Sequence, residues 1–214
     1  MISASALENF TAILGRRIVL QGVGFQPYSL SEDTICFFLA AGFELAGIPA
    51  HLIEMEVPHV ALKKPKGMQK AVDVRVALES SSIWIEVKFD RKTAYGSQLN
   101  DTNRFGNLLK DLFRAGLHSA DSAIVLYLTD KTMADYLQKH HSRLREKSVF
   151  VLETRLLDEL PGSASRRVST DVRAKLEGRA FRFQLFWEQE VGPLHCFAWE
   201  TIRQVTGGAA SPAP

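Results

Sequence analysis

Hydrophobic and polar residues alternate along two short runs near the middle of the chain. Residues 72–78 and 83–89 carry β-branched, leucine or phenylalanine side chains at every second position, mostly with polar residues between them. This alternation is typical of strands with one buried face. The polar segment Glu-Ser-Ser-Ser at 79–82 joins the two runs, so the pattern predicts a β-hairpin.

The alternation of side chains in the hairpin places three charged residues near one another. Side chains alternate between faces along a strand, and directly opposite residues share a face. A turn of two or four residues pairs Asp73 with Glu86 or with Lys88. In both registers these three side chains are expected on one face, and the aliphatic residues on the other.

The remaining elements follow from the same two periodicities. Apolar residues at helical spacing predict helices over 4–14, 29–47, 97–116 and 132–145. Short alternating or β-branched runs predict strands over 50–60, 122–128, 148–152, 179–191 and 194–202. Residues 17–23 are predicted to be a strand or an extended segment. The chain is therefore expected to be an α/β protein, with a central mixed β-sheet flanked by helices.

The helix predicted over 29–47 carries one acidic residue on its buried side. Ser29 or Ser31 is a suitable N-cap, and Gly47 is a suitable end. Glu32 continues the apolar stripe of this helix one turn earlier, whereas Glu44 should face water. Glu32 is thus either directed toward a site or simply a first-turn acid favoured by the helix dipole.

Composition places the chain among ordinary globular proteins. With 214 residues it is predicted to form one domain over 1–206, followed by a disordered tail, GGAASPAP, at 207–214. The sequence contains no apolar run of membrane-spanning length and no secretory signal pattern. Cys36 and Cys196 are expected to be buried free thiols, which suits a cytoplasmic protein.

The charge of the chain neither indicates nor excludes a nucleic-acid partner. Its formal net charge is only +2, but a local basic surface matters more than the total. The segment 61–70, just before Asp73, concentrates four lysines, Lys63, Lys64, Lys66 and Lys70. These lysines either form a solvated loop or contact backbone phosphates, which attract lysine without regard to base sequence.

The predicted trio of side chains has the chemistry of phosphodiester hydrolysis. Two carboxylates suit a hard cation such as Mg²⁺, which takes oxygen ligands and keeps several waters. Such a cation lowers the pKa of a bound water and neutralises phosphate charge. A neighbouring lysine can orient or deprotonate that water, or stabilise the transition state.

The spacing of Asp73, twelve residues, then Glu86-Val87-Lys88 resembles the PD-(D/E)XK nuclease superfamily. The resemblance implies that Asp73, Glu86 and the Val87 carbonyl bind Mg²⁺ or Mn²⁺, with Glu32 beside them, and that Lys88 serves the attacking water. The chain departs from the signature at Val72, where the superfamily pattern has proline.

The order of predicted elements adds to this resemblance. Between residues 29 and 137 it is similar to the restriction-endonuclease-like α-β-β-β-α-β core of that superfamily. The resemblance implies a DNA phosphodiester substrate, and it makes Arg104 on the second helix of this core a candidate phosphate contact. A side-chain pair between Asp101 and Arg104 is the alternative role for that arginine. The late hairpin, 179–202, has no counterpart in the core and is expected as an addition at the sheet edge or a dimer surface.

Several alternatives remain open at the level of sequence. Asp90-Arg91-Lys92 repeats the acidic-x-Lys pattern, but hydrophobic neighbours favour Glu86 and Lys88. The same fold also serves non-catalytic proteins that bind nucleic acid or protein. A hydrolase of sugars or nucleotides using the same carboxylates is a third hypothesis. The sequence leaves open whether the chain forms a homodimer.

Overall fold

The computed structural model describes residues 4–21, 30–58, 71–90, 100–117, 122–153, 158, 173 and 179–202. These ranges contain four α-helices: α1 (Ala4–Gln21), α2 (Glu32–Leu45), α3 (Asp101–Gly116) and α4 (Lys131–His140). They contain seven strands: β1 (Ile53–Pro58), β2 (Ala71–Ala77), β3 (Ser82–Asp90), β4 (Ser122–Asp130), β5 (Val149–Glu153), β6 (Ala180–Val191) and β7 (Leu194–Thr201). No helix in these ranges is long and apolar enough to cross a membrane.

One mixed sheet contains all seven strands, in the order β1-β2-β3-β4-β7-β6-β5. β3 and β4 are parallel and are connected through α3, whereas every other neighbouring pair is antiparallel. The predicted α/β class with a central mixed sheet is therefore confirmed.

The late hairpin is present, and it extends the sheet from the edge of β4, as expected of an addition at the edge of strands β1 to β4. β6 and β7 form the hairpin, and β7 pairs with β4 over seven residues from Ile124–Glu200 to Asp130–Leu194. The outer edge on this side is β5, which pairs with β6. β4 is buried on both faces, so its backbone groups need hydrogen-bonding partners along both edges, and β3 and β7 provide them.

Two hydrophobic cores lie on the two faces of the sheet. α1 and α2 cover one face, where Phe10, Leu39 and Phe43 pack against Ile85 and Leu126 and their neighbours. α3 and α4 cover the other face, in a core that also includes Tyr127 and Trp199. The result is a three-layer arrangement of helices, sheet and helices.

Side-chain caps fix the starts of three helices. The side chain of Ser31, one of the two predicted caps, accepts a hydrogen bond from the Thr34 amide of α2 at 3.1 Å. The Asn100 side chain accepts one from the Asn103 amide of α3 at 2.9 Å, and the Asp130 side chain accepts one from the Met133 amide of α4 at 3.0 Å. These caps satisfy amides that have no partner within the helix.

Three predicted elements differ from the structure. The strand predicted over 50–60 begins only at Ile53, because Ala50–Leu52 form a 3-10 helix. The prediction of a strand or extended segment at 17–23 is wrong for 17–21, because α1 continues to Gln21 and Ile18 packs against the same core as Leu14, one turn before it. The helix predicted over 132–145 ends at His140. His141 follows the helix and stacks on Phe105 with ring centroids 3.6 Å apart. Burial and the neighbouring His140 lower the pKa of His141 to about 4, so its ring is neutral at pH 7.

The packing of α1 on α2 depends on a residue without a side chain. A Cβ atom at Gly42 would lie 2.6 Å from the Ala6 carbonyl oxygen and 3.0 Å from the Phe10 amide nitrogen. Both are backbone atoms, which cannot move aside without shifting α1. The helix pair is therefore closer at this point than any larger residue permits.

We expect Gly42→Ala to destabilise the protein by about 1–3 kcal/mol, since overpacking outweighs the higher helix propensity of alanine. Gly15→Ala is the matched control, because its Cβ would meet only Val191 Cγ1 at 3.6 Å. Urea unfolding should show a lower midpoint for Gly42→Ala and an unchanged or higher midpoint for Gly15→Ala. Equal midpoints for the two variants would contradict the close approach of α1 and α2.

Candidate active site

The candidate site lies where β2 ends its pairing with β3. Partners run from Ala77–Ser82 to Val74–Ile85, which is the four-residue-turn alternative of the predicted hairpin. Beyond this point the Val87 amide donates to Asp73 Oδ2 at 2.6 Å, and the Phe89 amide donates to Glu32 Oε1 at 3.2 Å. Two carboxylates thus replace the neighbouring strand along this part of the β3 edge.

An irregular backbone conformation accompanies the end of this pairing. Glu56 of β1 has a φ of 54°, which is rare for a residue with a side chain, and its register neighbours place it opposite Asp73. Val72 packs in the core beneath α3, whereas Val74 packs in the core beneath α2. β2 therefore turns over at Asp73. The prediction that Val72 shares a face with Val74 and Val76 is wrong for this reason.

Asp73 is consequently directed along the sheet toward β3 rather than out of one face. Burial raises its pKa from the ordinary value of 3.8 to about 6, although the Val87 amide and Arg114 act in the opposite direction. The charges of Glu32 and Asp111 raise the pKa further. Asp73 is therefore a carboxylate whose ionised form is poorly solvated in the folded protein.

Glu86 is the most deeply buried acid of the predicted trio, with 2% of the residue exposed. Arg114 Nη2 lies 3.1 Å from Glu86 Oε1, which is within ion-pair distance, yet Oε1 accepts no hydrogen bond from any described residue. Burial raises the pKa of Glu86 well above its ordinary range; Arg114 lowers it in part, and Asp111 and Asp73 raise it again. Glu86 thus presents a buried oxygen with unused acceptor capacity.

Lys88 is held by Glu32 across the end of the site. Its Nζ forms an ion pair with Glu32 Oε1, the same oxygen that accepts the Phe89 amide. Burial disfavours the charged amine, but the Glu32 carboxylate outweighs this, and the pKa of Lys88 is raised. Lys88 is therefore a cation at neutral pH, positioned by α2.

Two residues of α3 belong to the site and were not among the sequence candidates. Asp111, 4% exposed, lies 3.3 Å from Lys110 Nζ and 3.5 Å from Arg114 Nη1, and Arg114 reaches Glu86. The sequence held a signal for Asp111: it falls three residues after Leu108 on the buried stripe of α3, where an unpaired acid is not expected. The charge of Asp111 affects the pKa of Asp73, Glu86 and Lys88, which places it at the same centre.

Arg104 occupies a separate buried network at the carboxyl ends of β3 and β4. Its guanidinium lies 3.1 Å from Asp90 Oδ2, 3.0 Å from Asp101 Oδ1 and 3.3 Å from Asp130 Oδ1, with only 3% of the residue exposed. The pair with Asp101 is the alternative that the sequence suggested. Because the guanidinium faces inward, Arg104 is not presented to a phosphate, and its contacts are structural.

The same network distinguishes the two acidic-x-Lys segments of the sequence, Glu86-Val87-Lys88 and Asp90-Arg91-Lys92. Asp90 Oδ2 accepts hydrogen bonds from Arg104 and from the Tyr127 hydroxyl, which lies 2.9 Å away. Oδ2 of Asp90 thus has two donors within the core, whereas Oε1 of Glu86 accepts no hydrogen bond from a described residue. This contrast favours Glu86 and Lys88 over the second match.

The chemistry of the donor set fits a hard divalent cation, although the side chains are not gathered around one point. Asp73, Glu86 and Asp111 offer carboxylate oxygens, and one of them has no hydrogen bond to a described residue. Within the described ranges no three His, Cys, Asp or Glu side chains converge as a metal-binding group. The contact that Val87 makes in this site is the hydrogen bond that its amide donates to Asp73. The lysines at 63, 64, 66 and 70 lie outside the described residues.

Comparisons of this chain with models of protein families, with curated proteins and with solved structures gave no match.

The raised pKa of Asp73 predicts a stability that depends on pH. A carboxyl with a higher pKa in the folded state favours folding at low pH, and this contribution is lost as the pH rises from 3.8 through about 6. In buffer with chelator, Asp73→Asn should therefore stabilise the protein at pH 7.5 by about 1–2 kcal/mol, after allowance for solvent screening. The gain should be small at pH 4.5. Urea unfolding at both pH values measures it, and a loss of stability at pH 7.5 would contradict the assignment.

The Arg104 network predicts a large effect of removing its central cation. Arg104→Met leaves Asp90 buried without its counter-ion, and we expect a loss of about 3–5 kcal/mol in the free energy of unfolding. Lys131→Met serves as the control, since its ion pair with Asp135 is exposed and should matter little. Chemical denaturation of both variants gives the comparison. Similar losses for the two would show that the network does not support the fold.

Proposed function

We propose that this protein is a metal-dependent nuclease that hydrolyses DNA phosphodiester bonds, with a restriction-endonuclease-like core. The observation that carries the proposal is the Glu86 carboxylate. It is buried on β3, two residues before Lys88, and one of its oxygens accepts no hydrogen bond from the described residues. A buried carboxylate left in this state costs stability, so its retention is explained by a ligand that the fold serves.

The element order supports the same proposal. α2, β1, β2, β3, α3 and β4 follow one another along the chain as helix, three antiparallel strands, helix and parallel strand. This is the α-β-β-β-α-β order of the superfamily that the Asp73, Glu86 and Lys88 spacing resembles. DNA as the substrate rests on that resemblance and on the lysine-rich segment 61–70.

Each residue has a distinct role in the proposed reaction. Asp73 and Glu86 would hold Mg²⁺ or Mn²⁺, with the Val87 carbonyl as a further oxygen ligand. The cation, when bound, lowers the pKa of a bound water and neutralises charge on the phosphate. Lys88 orients the attacking water or stabilises the negative charge of the transition state. Glu32 keeps the Lys88 ammonium in place through its ion pair.

One observation favours a second candidate, a non-catalytic protein of the same fold. The acids Glu86 and Glu32 are each paired with a cation of the protein itself, Arg114 and Lys88 respectively. A site balanced in this way can be stable without a metal. Such a protein would bind nucleic acid or another protein without cleaving it.

The test compares DNA cleavage by the wild type and by Asp73→Asn, Glu86→Gln and Lys88→Ala. Single-stranded, duplex and branched DNA should be offered with Mg²⁺ or Mn²⁺. We expect each variant to lose activity by about 100-fold or more, and chelator to abolish it. Glu54→Gln, which removes an exposed carboxylate from β1, should retain wild-type activity.

Opposite results have separate meanings. Cleavage by Asp73→Asn or Glu86→Gln at the wild-type rate, or cleavage in the presence of chelator, would refute the assigned site. Metal-independent DNA binding without cleavage of any substrate would support the non-catalytic candidate. Hydrolysis of mononucleotides but not of oligonucleotides would redirect the proposal to a small-molecule hydrolase.

A further inference from the structure

The contact between Arg114 and Glu86 has a consequence for how the site takes a cation. We propose that Arg114 acts as the counter-ion of Glu86 and competes with a divalent cation for its carboxylate, so that Arg114 sets the cation concentration at which the site fills. This inference rests on the function proposed above. It makes Arg114 a positioning residue that acts through Glu86.

The competition follows from the shared oxygen. Arg114 Nη2 is 3.1 Å from Glu86 Oε1, and the two side chains are only 14% and 3% exposed. Oε1 is the oxygen that lacks a hydrogen bond from the described residues, and it is therefore the one with capacity for a new ligand. A cation on this oxygen and the guanidinium beside it would repel each other strongly, because little solvent screens them.

Asp111 makes the exchange feasible. It lies one turn before Arg114 on α3, 3.5 Å from Arg114 Nη1. If Arg114 withdraws from Glu86, its charge remains next to the Asp111 carboxylate instead of being left without a counter-ion. The cost of leaving a buried guanidinium unpaired is thereby avoided.

Arg114 also connects the two proposed ligands through the backbone. Its Nη2 donates to the Ala71 carbonyl oxygen at 2.7 Å, two residues before Asp73. One guanidinium thus contacts Glu86 directly and fixes the strand segment that leads into Asp73. Because the same Nη2 makes both contacts, a withdrawal of Arg114 from Glu86 also weakens the hydrogen bond to Ala71, whereas Nη1 still faces Asp111.

The experiment is calorimetric titration of Mn²⁺ into the wild type, Arg114→Gln and the matched control Lys110→Gln. Both variants remove one positive charge from α3, but Lys110 forms its ion pair with Asp111 and acts on Glu86 only from a distance, whereas Arg114 lies 3.1 Å from Glu86. Loss of a contacting charge in a poorly solvated site should tighten Mn²⁺ binding about tenfold or more in Arg114→Gln, whereas Lys110→Gln should change it less than about threefold. Affinity in Arg114→Gln that is equal to or weaker than in Lys110→Gln would overturn the proposal.

A second pair of variants guards against loss of folding. Arg114→Lys keeps a cation without the two-pronged guanidinium, and its Mn²⁺ affinity should lie between those of the wild type and Arg114→Gln. In Arg114→Ala, millimolar guanidinium chloride should weaken Mn²⁺ binding by occupying the vacated position, and equimolar sodium chloride should not. Equal effects of the two salts on Mn²⁺ binding would contradict direct competition. If Arg114→Gln does not fold, a wild-type Mn²⁺ affinity in Arg114→Lys would contradict it as well.

Failure of this inference can be told apart from failure of the proposed function. If an Asp73→Asn, Glu86→Gln double variant binds Mn²⁺ like the wild type, the assigned metal site is refuted, and the inference about Arg114 is refuted with it. If binding is lost in that double variant, but Arg114→Gln and Lys110→Gln behave alike, the metal site stands and only the role of Arg114 is refuted.

Discussion

The site depends on one constraint, a buried glutamate next to the point where the pairing of β2 with β3 ends. Glu86 belongs to a strand that is buried along most of its length, and it is 2% exposed. A charge in such a position is tolerated only when partners surround it, because desolvation costs more than a single contact restores. Arg114 of α3 is such a partner, whereas the nearby carboxylates of Asp111 and Asp73 act against the charge of Glu86.

The layers of the fold supply these partners from both sides of the sheet. α2 begins beside the β3 edge, so Glu32 reaches both the Phe89 amide and Lys88. α3 crosses the opposite face and brings Asp111 and Arg114 toward Glu86. The β3-α3-β4 connection therefore does more than close the parallel pair, because the same helix holds the core through its apolar stripe and balances the site through its polar positions.

Local periodicity was sufficient to predict most of the elements, but not their long-range arrangement. The hairpin around 79–82, the helix capped by Ser31 and the buried strand after residue 122 each express a pattern within a few neighbouring residues. The pairing of β7 with β4 joins segments about seventy residues apart, which no local pattern encodes.

The site was partly predictable for the same reason. Asp73, Glu86 and Lys88 stand out because charged residues interrupt alternating strands. The turnover of β2 at Asp73 is accompanied by an irregular backbone at Glu56 on the neighbouring strand, which the β2 sequence does not encode. Arg114 and Asp111 reach the site because of how α3 packs over β3. The buried stripe of α3 was the only indication of this packing in the sequence.

The position of β7 also affects the order in which the molecule can assemble. β7 is the last described strand, yet it lies between β4 and β6 and contributes Phe197 and Trp199 to the core beneath α3. Contacts between segments far apart in sequence form late, because a long loop must first close. During synthesis, α3 therefore has an incomplete surface to pack on until the final hairpin emerges. Because α3 carries Arg114 and Asp111, the charge balance around Glu86 is completed only after nearly the whole described chain has been made.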